Sequence, residues 1–237
     1  MSTHHIDLKK RLLRPGHEFT IEEAREIVND LYEHYCIDTR DRFHNRFFHE
    51  ICPLLLIAEH VANSMTRVVF TVDDVRFDGK IILGDERRIQ KVEMTAAVDG
   101  HQDALRMEFL AARGHAPAFQ KIQASGAKKN RTFDDDEKQS EATVSPKYDQ
   151  ETLLPLLKTA INIKAKKAKT NANYNGAWLG IVFNDWIMPL NHNKKRRFNP
   201  ICEQALAGEA EQYHPFSRVF FAGISRKYLF DSSKRSA

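Results

Sequence analysis

The 237-residue chain has little cysteine: Cys36, Cys52 and Cys202 are its only three, and they are widely spaced. No two of them form a C-x-x-C pair, which argues against a zinc ribbon and against a disulfide framework. A few isolated cysteines are typical of a protein from a reducing compartment. The sequence therefore predicts a fold that is stabilised by its hydrophobic core.

Long hydrophobic runs are also missing. No stretch approaches the roughly 20 apolar residues that a membrane-spanning helix needs. The first residues, MSTHHIDLKKRLLRPG, lack the apolar centre of a secretory signal. We therefore expect a cytoplasmic protein with no membrane partner.

The common nucleotide-binding and hydrolase motifs are absent as well. The sequence contains no P-loop, no G-x-G-x-x-G, no G-x-S-x-G and no H-E-x-x-H. Their absence argues against ATP hydrolysis, dinucleotide-dependent redox chemistry, serine hydrolysis and a zinc protease. What remains is an ordinary globular composition, with 42% hydrophobic and 29% charged residues and a net charge of +4. A mild positive charge is compatible with a polyanionic partner but does not establish one.

Helical and strand periods alternate along the chain. Thr20 and Glu23 form a capping box that predicts a helix, and a second helix, kinked at Pro53, is expected over about 42–63. Further helices are expected at 103–113, at 149–171 and in PICEQALAGEA. Strands are expected in TRVVFTVDDVRF, RIQKVEMTAAV, PAFQKI, AWLGIVF and SRVFFAGI, with turns at FDGK and LGDE, and NHNKKRRFNP is expected to be a basic loop.

This alternation predicts an α/β (α+β) protein, with a central mixed β-sheet flanked by helices. Residues 41–124 and 149–230 are expected to form a single α/β domain, and residues 1–40 an N-terminal helical extension. Residues 125–148 are polar and nearly free of aliphatic side chains, which predicts a flexible loop.

Polar side chains line one face of the strand RIQKVEMTAAV. Lys91, Glu93 and Thr95 occupy alternate positions and lie about 6.8 Å apart along the strand. Asp73 and Asp74 fall in the segment expected to precede it in the sheet. Two carboxylates that meet at one point repel each other unless a cation neutralises them, and oxygen ligands favour Mg²⁺ or Mn²⁺. The alternative is that these carboxylates are simply solvated.

Three segments, VDDVRFDG, KVEMTAAVDG and DALRMEFLAARG, resemble the core of the restriction-endonuclease-like, or PD-(D/E)XK, nuclease superfamily, over about residues 42–122. The resemblance implies that fold and the Mg²⁺-dependent hydrolysis of phosphodiester bonds, with DNA favoured over RNA. It also implies that Asp74 (or Asp73) and Glu93 bind the metal. An additional acidic ligand would come from the preceding helix, as Glu59 or Glu50.

The chain departs from the family pattern at Thr95, which stands where the superfamily has a lysine. A threonine hydroxyl carries no positive charge and cannot replace an ammonium at a developing phosphate charge. Lys91 on the same strand, and Lys164, Lys166 and Lys167 on the later helix, are the candidates to supply the missing amine, and Thr95 itself stays a candidate catalytic residue. The alternative is a catalytically inactive protein of the same fold that binds nucleic acid or an acidic partner.

Two basic segments are candidate nucleic-acid contacts. The first contributes Lys166 and Lys169, and the second is the run Lys194, Lys195, Arg196 and Arg197. Phe198 or Trp186 would be placed to stack on a base. The alternative is that both segments are solvated surface, and a homodimer is compatible with the sequence.

Overall fold

A mixed seven-stranded sheet with helices on both faces forms the architecture of the chain. This computed structural model describes residues 3–37, 42–70, 77–98, 124–125, 132–133, 149–185, 194–207 and 213–234. The predicted α/β class with a mixed sheet is confirmed.

The sheet has the strand order β1-β2-β3-β4-β7-β8-β9. The β4–β7 and β7–β8 pairs are parallel and the other neighbours are antiparallel. A separate small sheet pairs β5 with β6. The strands are β1 Phe19–Thr20, β2 Arg67–Val69, β3 Gly79–Leu83, β4 Arg88–Ala96, β5 Ala124–Ser125, β6 Thr132–Phe133, β7 Trp178–Phe183, β8 Arg218–Gly223 and β9 Leu229–Asp231.

The α-helices are α1 Thr3–Leu12, α2 Ile21–Ile37, α3 Arg42–Arg46, α4 Cys52–Val61, α5 Leu154–Lys169 and α6 Lys194–Leu206. Shorter elements are π-helical turns at Phe47–Ile51 and Asp149–Leu153 and 3₁₀ turns at Ala172–Tyr174 and Ser232–Lys234. Within the described ranges, none of these helices is long and apolar enough to cross a membrane.

The two faces of the sheet carry separate cores because alternate strand residues point to opposite sides. Helices α2 and α4 cover the face that contains Val92 and Met94 of β4. Helices α5 and α6 cover the other face, where Leu179 and Ile181 of β7 are buried. Residues 3–37 pack into the first of these cores together with α4.

Local sequence signals explain the start of α2. The Thr20 amide donates to Glu23 Oε2 at 3.0 Å, and the Glu23 amide donates to Thr20 Oγ1 at 3.1 Å. These reciprocal hydrogen bonds confirm the predicted capping box. The helix predicted over about 42–63 is interrupted by the π-helical turn Phe47–Ile51, and Pro53 lies in the first turn of α4, where a missing amide costs nothing.

The hairpin β3–β4 confirms the turn predicted at LGDE. Gly84 and Arg87 have φ angles of 65° and 52°, and the register runs from Leu83 opposite Arg88 to Gly79 opposite Val92. The turn predicted at FDGK is wrong, because β3 begins at Gly79. A Cβ atom at Gly79 would lie 2.1 Å from Leu54 Cδ2, so only glycine allows β3 to pass this close to α4.

The predicted loops and the predicted last strand agree with the structure only in part. The basic loop predicted at NHNKKRRFNP is wrong from Lys194 onward, because α6 starts there, and β9 follows the strand predicted to be the last. Within the predicted 125–148 loop, Ser125 and Thr132–Phe133 lie in strands. The predicted helix at 103–113 and the predicted strand at 117–122 lie outside the described residues.

Candidate active site

Strand β4 presents Glu93 to the face of the sheet that α5 covers. Lys91, Glu93 and Thr95 alternate with the buried residues Val92 and Met94, as the sequence pattern predicts. Glu93 is only 3% exposed. A carboxylate this deeply buried needs partners, because burial disfavours its charged form.

The nearest acidic neighbour of Glu93 in the sheet is Asp78, which directly precedes β3. The Asp78 amide donates to the Val92 carbonyl at 3.2 Å, and Asp78 Oδ2 accepts from the Met94 amide at 2.6 Å. These two hydrogen bonds fix the Asp78 carboxylate beside the backbone of Glu93. Two acids from neighbouring strands are thereby brought together.

Helix α5 brings two lysines to the same carboxylate. Lys164 Nζ lies 2.5 Å from Glu93 Oε1, and Lys167 Nζ lies 3.8 Å from the same oxygen. The two residues are one helical turn apart and therefore neighbours on the helix surface. The topology explains the contact, because α5 leads into β7, the parallel neighbour of β4, and so packs on the face that contains Glu93.

A third acid comes from the π-helical turn before α4. Glu50 Oε2 accepts from Arg46 Nε at 3.0 Å, and the same guanidinium donates to the Phe70 carbonyl at 3.3 Å. The charges of Asp78 and Glu93 act on Glu50 and help to raise its pKa. Glu50 is therefore electrostatically part of the same cluster.

Burial is the main reason that the pKa values of Glu50, Asp78 and Glu93 are all raised. Lys164 opposes this rise at both Glu93 and Asp78, but it does not cancel it. Mutual repulsion adds to it, since Asp78 raises the pKa of Glu93 and of Glu50. The raised pKa values therefore reflect mainly the cost of burying the carboxylate charges, with repulsion between neighbouring acids as a smaller contribution.

The acidic ligands predicted from sequence are tested only in part. Asp73 and Asp74 lie outside the described residues, so their role stays a prediction, and Asp78, which the sequence pattern assigned to a turn, lies beside Glu93. Glu59 is not brought to the cluster, since its Oε1 accepts from Arg25 Nε at 2.7 Å on another part of α4. The sequence signal that could have identified Asp78 is its position directly before β3, the strand that pairs with β4.

The remaining catalytic candidates differ in whether their side chains reach Glu93. Lys164 and Lys167 meet Glu93, whereas the Lys91 ammonium lies 5.0 Å from the centroid of the Phe77 ring. Thr95 is partly buried on the same strand face as Glu93. An amine therefore reaches the carboxylate from α5 and not from the position of Thr95.

The predicted nucleic-acid contacts lie on two helices. Lys166 and Lys169 are exposed on α5, but at 3.6 residues per turn Lys169 points about 160° away from Lys167. On α6, Lys194 opens the helix, Lys195 and Arg196 are exposed, and Arg197 is partly buried. Among the residues whose side chains the structure describes, Lys166, Lys169, Lys195 and Arg196 are exposed cations, and none of them is paired with Glu93.

The proposed base-stacking role of Phe198 is wrong. Its side chain is buried, and its ring centroid lies 5.1 Å from that of Phe183 and 5.3 Å from that of Tyr228. Trp186, the other candidate, lies outside the described residues. Phe198 therefore serves to pack α6 against the sheet.

Metal-ligand geometry gives a limited result. Over the part of the chain that the structure describes, no group of three or more His, Cys, Asp or Glu residues is arranged to hold a metal ion. Any cation at Glu93 would therefore be held by fewer protein ligands, with oxygen atoms from water or substrate completing its shell.

Comparisons of the chain with protein-family models, with curated proteins and with solved structures each found no match. The interpretation of the site therefore depends on its own geometry and on the residue pattern of β3 and β4.

Proposed function

We propose that this chain is a metal-dependent nuclease that hydrolyses phosphodiester bonds, with DNA as its preferred substrate. The observation that supports this most directly is the ammonium of Lys164 at 2.5 Å from the buried Glu93 carboxylate, beside Asp78. An amine and two acids at one point of a sheet are the groups that the superfamily resemblance requires, although the lysine comes from α5.

The order of elements supports a restriction-endonuclease-like core. Helix α4 is followed by the antiparallel strands β2, β3 and β4, then by α5, and then by β7, parallel to β4. The part from α4 to β4 has the order of helix, hairpin and Glu-bearing strand that the resemblance implies, whereas the helix at 103–113 and the strand at 117–122 that it implies next lie outside the described residues. In this proposal Asp78 takes the role expected of Asp74 or Asp73, and Glu50, rather than Glu59, is the acid near the cluster among the two expected from the preceding helix.

The chemistry of the two acids fits a hard divalent cation. Glu93 and Asp78 offer only oxygen atoms, which Mg²⁺ and Mn²⁺ prefer. Mg²⁺ commonly uses one or two carboxylates and completes its shell with water and substrate phosphates, so two protein ligands are sufficient. Burial is the main cause of the raised pKa values of both acids, and a bound cation would stabilise their charged forms.

The residues of the chain then divide the chemistry among them. Bound there, Mg²⁺ or Mn²⁺ would supply an activated water and would offset the charge on the leaving oxygen. Glu93 and Asp78 would hold the cation. Lys164 would stabilise the negative charge on the phosphate as the bond to the attacking oxygen forms and the bond to the leaving oxygen breaks.

Glu93→Gln tests the proposal. It keeps the shape of the side chain but removes its charge, and we expect cleavage of a labelled DNA duplex with Mg²⁺ or Mn²⁺ to fall about 10³-fold. Glu59→Gln is the matched control, because Glu59 pairs with Arg25 away from the cluster, and it should cleave at the wild-type rate. A wild-type protein that cuts neither DNA nor RNA with either metal would refute the nuclease proposal.

A second candidate function is binding without catalysis. Two observations favour it: Thr95 supplies no amine, and Lys164 already lies at Glu93 Oε1, where a metal would have to bind. In that case wild type binds DNA but does not cut it, and Glu93→Gln leaves the affinity unchanged. Neutralising Lys194, Lys195, Arg196 and Arg197 together should then weaken binding and flatten its salt dependence.

A further inference from the structure

Lys167 is exposed to solvent and yet is held in place. Its side chain is 61% exposed, but the ammonium lies 3.8 Å from Glu93 Oε1 and 5.8 Å from the centroid of the Tyr174 ring. A hydrogen bond with Tyr174 and the charge of Glu93 raise the pKa of Lys167. Ordering an exposed lysine side chain costs conformational entropy, so the contacts that hold this ammonium must offset that cost.

Tyr174 is a rigid support for this lysine. Its side chain is buried, and its ring centroid lies 5.0 Å from that of Phe77 and 5.8 Å from that of Phe216. The 3₁₀ turn that contains Tyr174 follows directly on α5, so the helix and its support are joined by a short connection. The position of the ammonium is therefore set by buried structure.

The two lysines at Glu93 differ in how far their ammonium groups are open to a further ligand. Lys164 is only 19% exposed and lies against the carboxylate at 2.5 Å, whereas Lys167 is farther from it and open to solvent. An ammonium has three donors. Within the described ranges Glu93 and Tyr174 are the partners of Lys167, which leaves a donor for an incoming anion.

We infer that Lys167 binds a backbone phosphate of the nucleic acid next to the one that is cleaved, and that Tyr174 is its positioning residue. This inference rests on the proposed function, because it takes Glu93 as the point of cleavage. In this arrangement the Lys167 ammonium, on the solvent side of Glu93, contacts the nucleic-acid backbone, while Lys164 stays beside the Glu93 carboxylate.

Binding of a fluorescein-labelled 20-nucleotide DNA duplex, measured by anisotropy with Ca²⁺ in place of Mg²⁺, tests this inference without cleavage. Lys167→Ala should raise Kd about tenfold and lower the slope of log K against log salt concentration by about 1. Lys158→Ala is the matched control, since Lys158 is exposed on the same helix but, nine residues away, points to its opposite side. It should change Kd by less than about twofold.

Two further variants separate charge from position. Lys167→Arg keeps the charge and should recover most of the affinity. Tyr174→Phe keeps the ring but removes the hydroxyl, and it should raise Kd about threefold with the salt slope unchanged, because the number of charges that meet phosphate stays the same. Thermal unfolding of each variant checks that the fold is intact.

The outcomes distinguish the inference from the nuclease proposal. Equal losses in Lys167→Ala and Lys158→Ala, or a wild-type protein that does not bind the duplex, would overturn the inference. Wild-type cleavage with unchanged binding and KM in Lys167→Ala would overturn it too, while the nuclease proposal stands. A selective loss of binding in Lys167→Ala supports the inference if wild type cuts the duplex with Mg²⁺, whereas the same loss in a protein that does not cut would overturn the position of Lys167 beside a cleaved phosphate.

Discussion

The two faces of the sheet each hold a buried ionic cluster, and the clusters differ in how their carboxylates are satisfied. On the face that α4 covers, Asp231 accepts from Arg218 Nε at 2.8 Å, from a second Arg218 nitrogen, and from His60 Nε2 at 3.1 Å. The amide and hydroxyl of Ser233 donate to it as well, at 2.9 and 2.8 Å. One acid there has five donors.

Around Glu93, each acid has fewer donors. Glu93 meets α5, Asp78 lies beside it, Glu50 comes from the turn before α4, and each has its pKa raised, chiefly by burial. Burial also disfavours the charge of Asp231, but the hydrogen bonds from Arg218 and Ser233 hold its pKa well below the ordinary range. The donors therefore outweigh burial at Asp231, whereas burial outweighs the donors at Glu93, Asp78 and Glu50.

Asp231→Asn should produce the larger loss of stability. Removing its charge leaves the guanidinium of Arg218 partly buried without a counterion, so we expect the free energy of unfolding to fall by about 3 kcal/mol at pH 7. A lowered pKa stabilises the native state above the unfolded value near 3.8, and this stabilisation is lost as the pH falls through the lowered pKa.

Urea unfolding of the Asp231→Asn variant from pH 7 to pH 3 measures this effect. The difference from wild type should shrink at the acid end of the series, and the cleavage rate of the folded variant should stay at the wild-type value. A loss of stability below about 1 kcal/mol at pH 7 would contradict the conclusion that the five donors around Asp231 stabilise the fold.

Lys164→Met should lower the rate of cleavage and also reduce stability, because the buried Glu93 loses its closest partner. Methionine keeps the aliphatic stem of the side chain but removes the ammonium at Glu93, and we expect the rate of metal-dependent cleavage to fall about 10²-fold. Lys158→Met, an exposed position of the same helix, is the control and should leave the rate unchanged. Cleavage by Lys164→Met within threefold of wild type would contradict the role given to this lysine.

Asp78→Asn should have the smallest effect on stability, and in the opposite direction to Asp231→Asn. The native state holds the proton of Asp78 more tightly than the unfolded chain does, so wild type loses stability as the pH rises from about 3.8 through the raised pKa. Asparagine cannot ionise, and its side-chain oxygen can still accept from the Met94 amide.

In EDTA, the free energy of unfolding of Asp78→Asn should therefore exceed that of wild type at pH 7. The two values should approach each other near pH 4, and urea unfolding across this range measures the difference. A variant that is less stable than wild type at pH 7 would show that Asp78 belongs to the same class of satisfied acid as Asp231.

The strand pattern and the hairpin could be predicted because both are local. The alternation at Lys91, Glu93 and Thr95 follows from the two-residue period of a strand, and the turn at LGDE has its own sequence signal. Asp78 was not recognised as a neighbour of Glu93 because FDGK has turn composition. It lies in a bend directly before β3, and its contact with β4 comes from the pairing of the two strands.

The sequence could not show whether Glu50 or Glu59 lies near Glu93, for a different reason. In a regular helix, nine residues correspond to two and a half turns, so the two acids face opposite sides, and sequence alone does not say which side meets the sheet. The π-helical turn Phe47–Ile51 also shifts the helical phase just before α4. Helix packing decides that Glu50 meets the cluster and that Glu59 meets Arg25.

The start of α6 was missed because its local signals are unfavourable. Cations in the first turn oppose the helix macrodipole, and Pro200 suggested a helix start where it is in fact inside the helix. Burial of Phe198, Ile201 and Cys202 against the sheet outweighs those signals. Tertiary packing therefore turned an expected loop into two helical turns.

By itself, the sequence determined the α/β class, the capping box of α2 and the polar face of β4, because each depends on residues a few positions apart. The tertiary structure decided which lysine meets Glu93. Lys164 is remote from it in the chain, and only the parallel crossover from β4 to β7 lays α5 across that strand. A contact between distant residues depends on how elements pack, and neither composition nor periodicity contains that information.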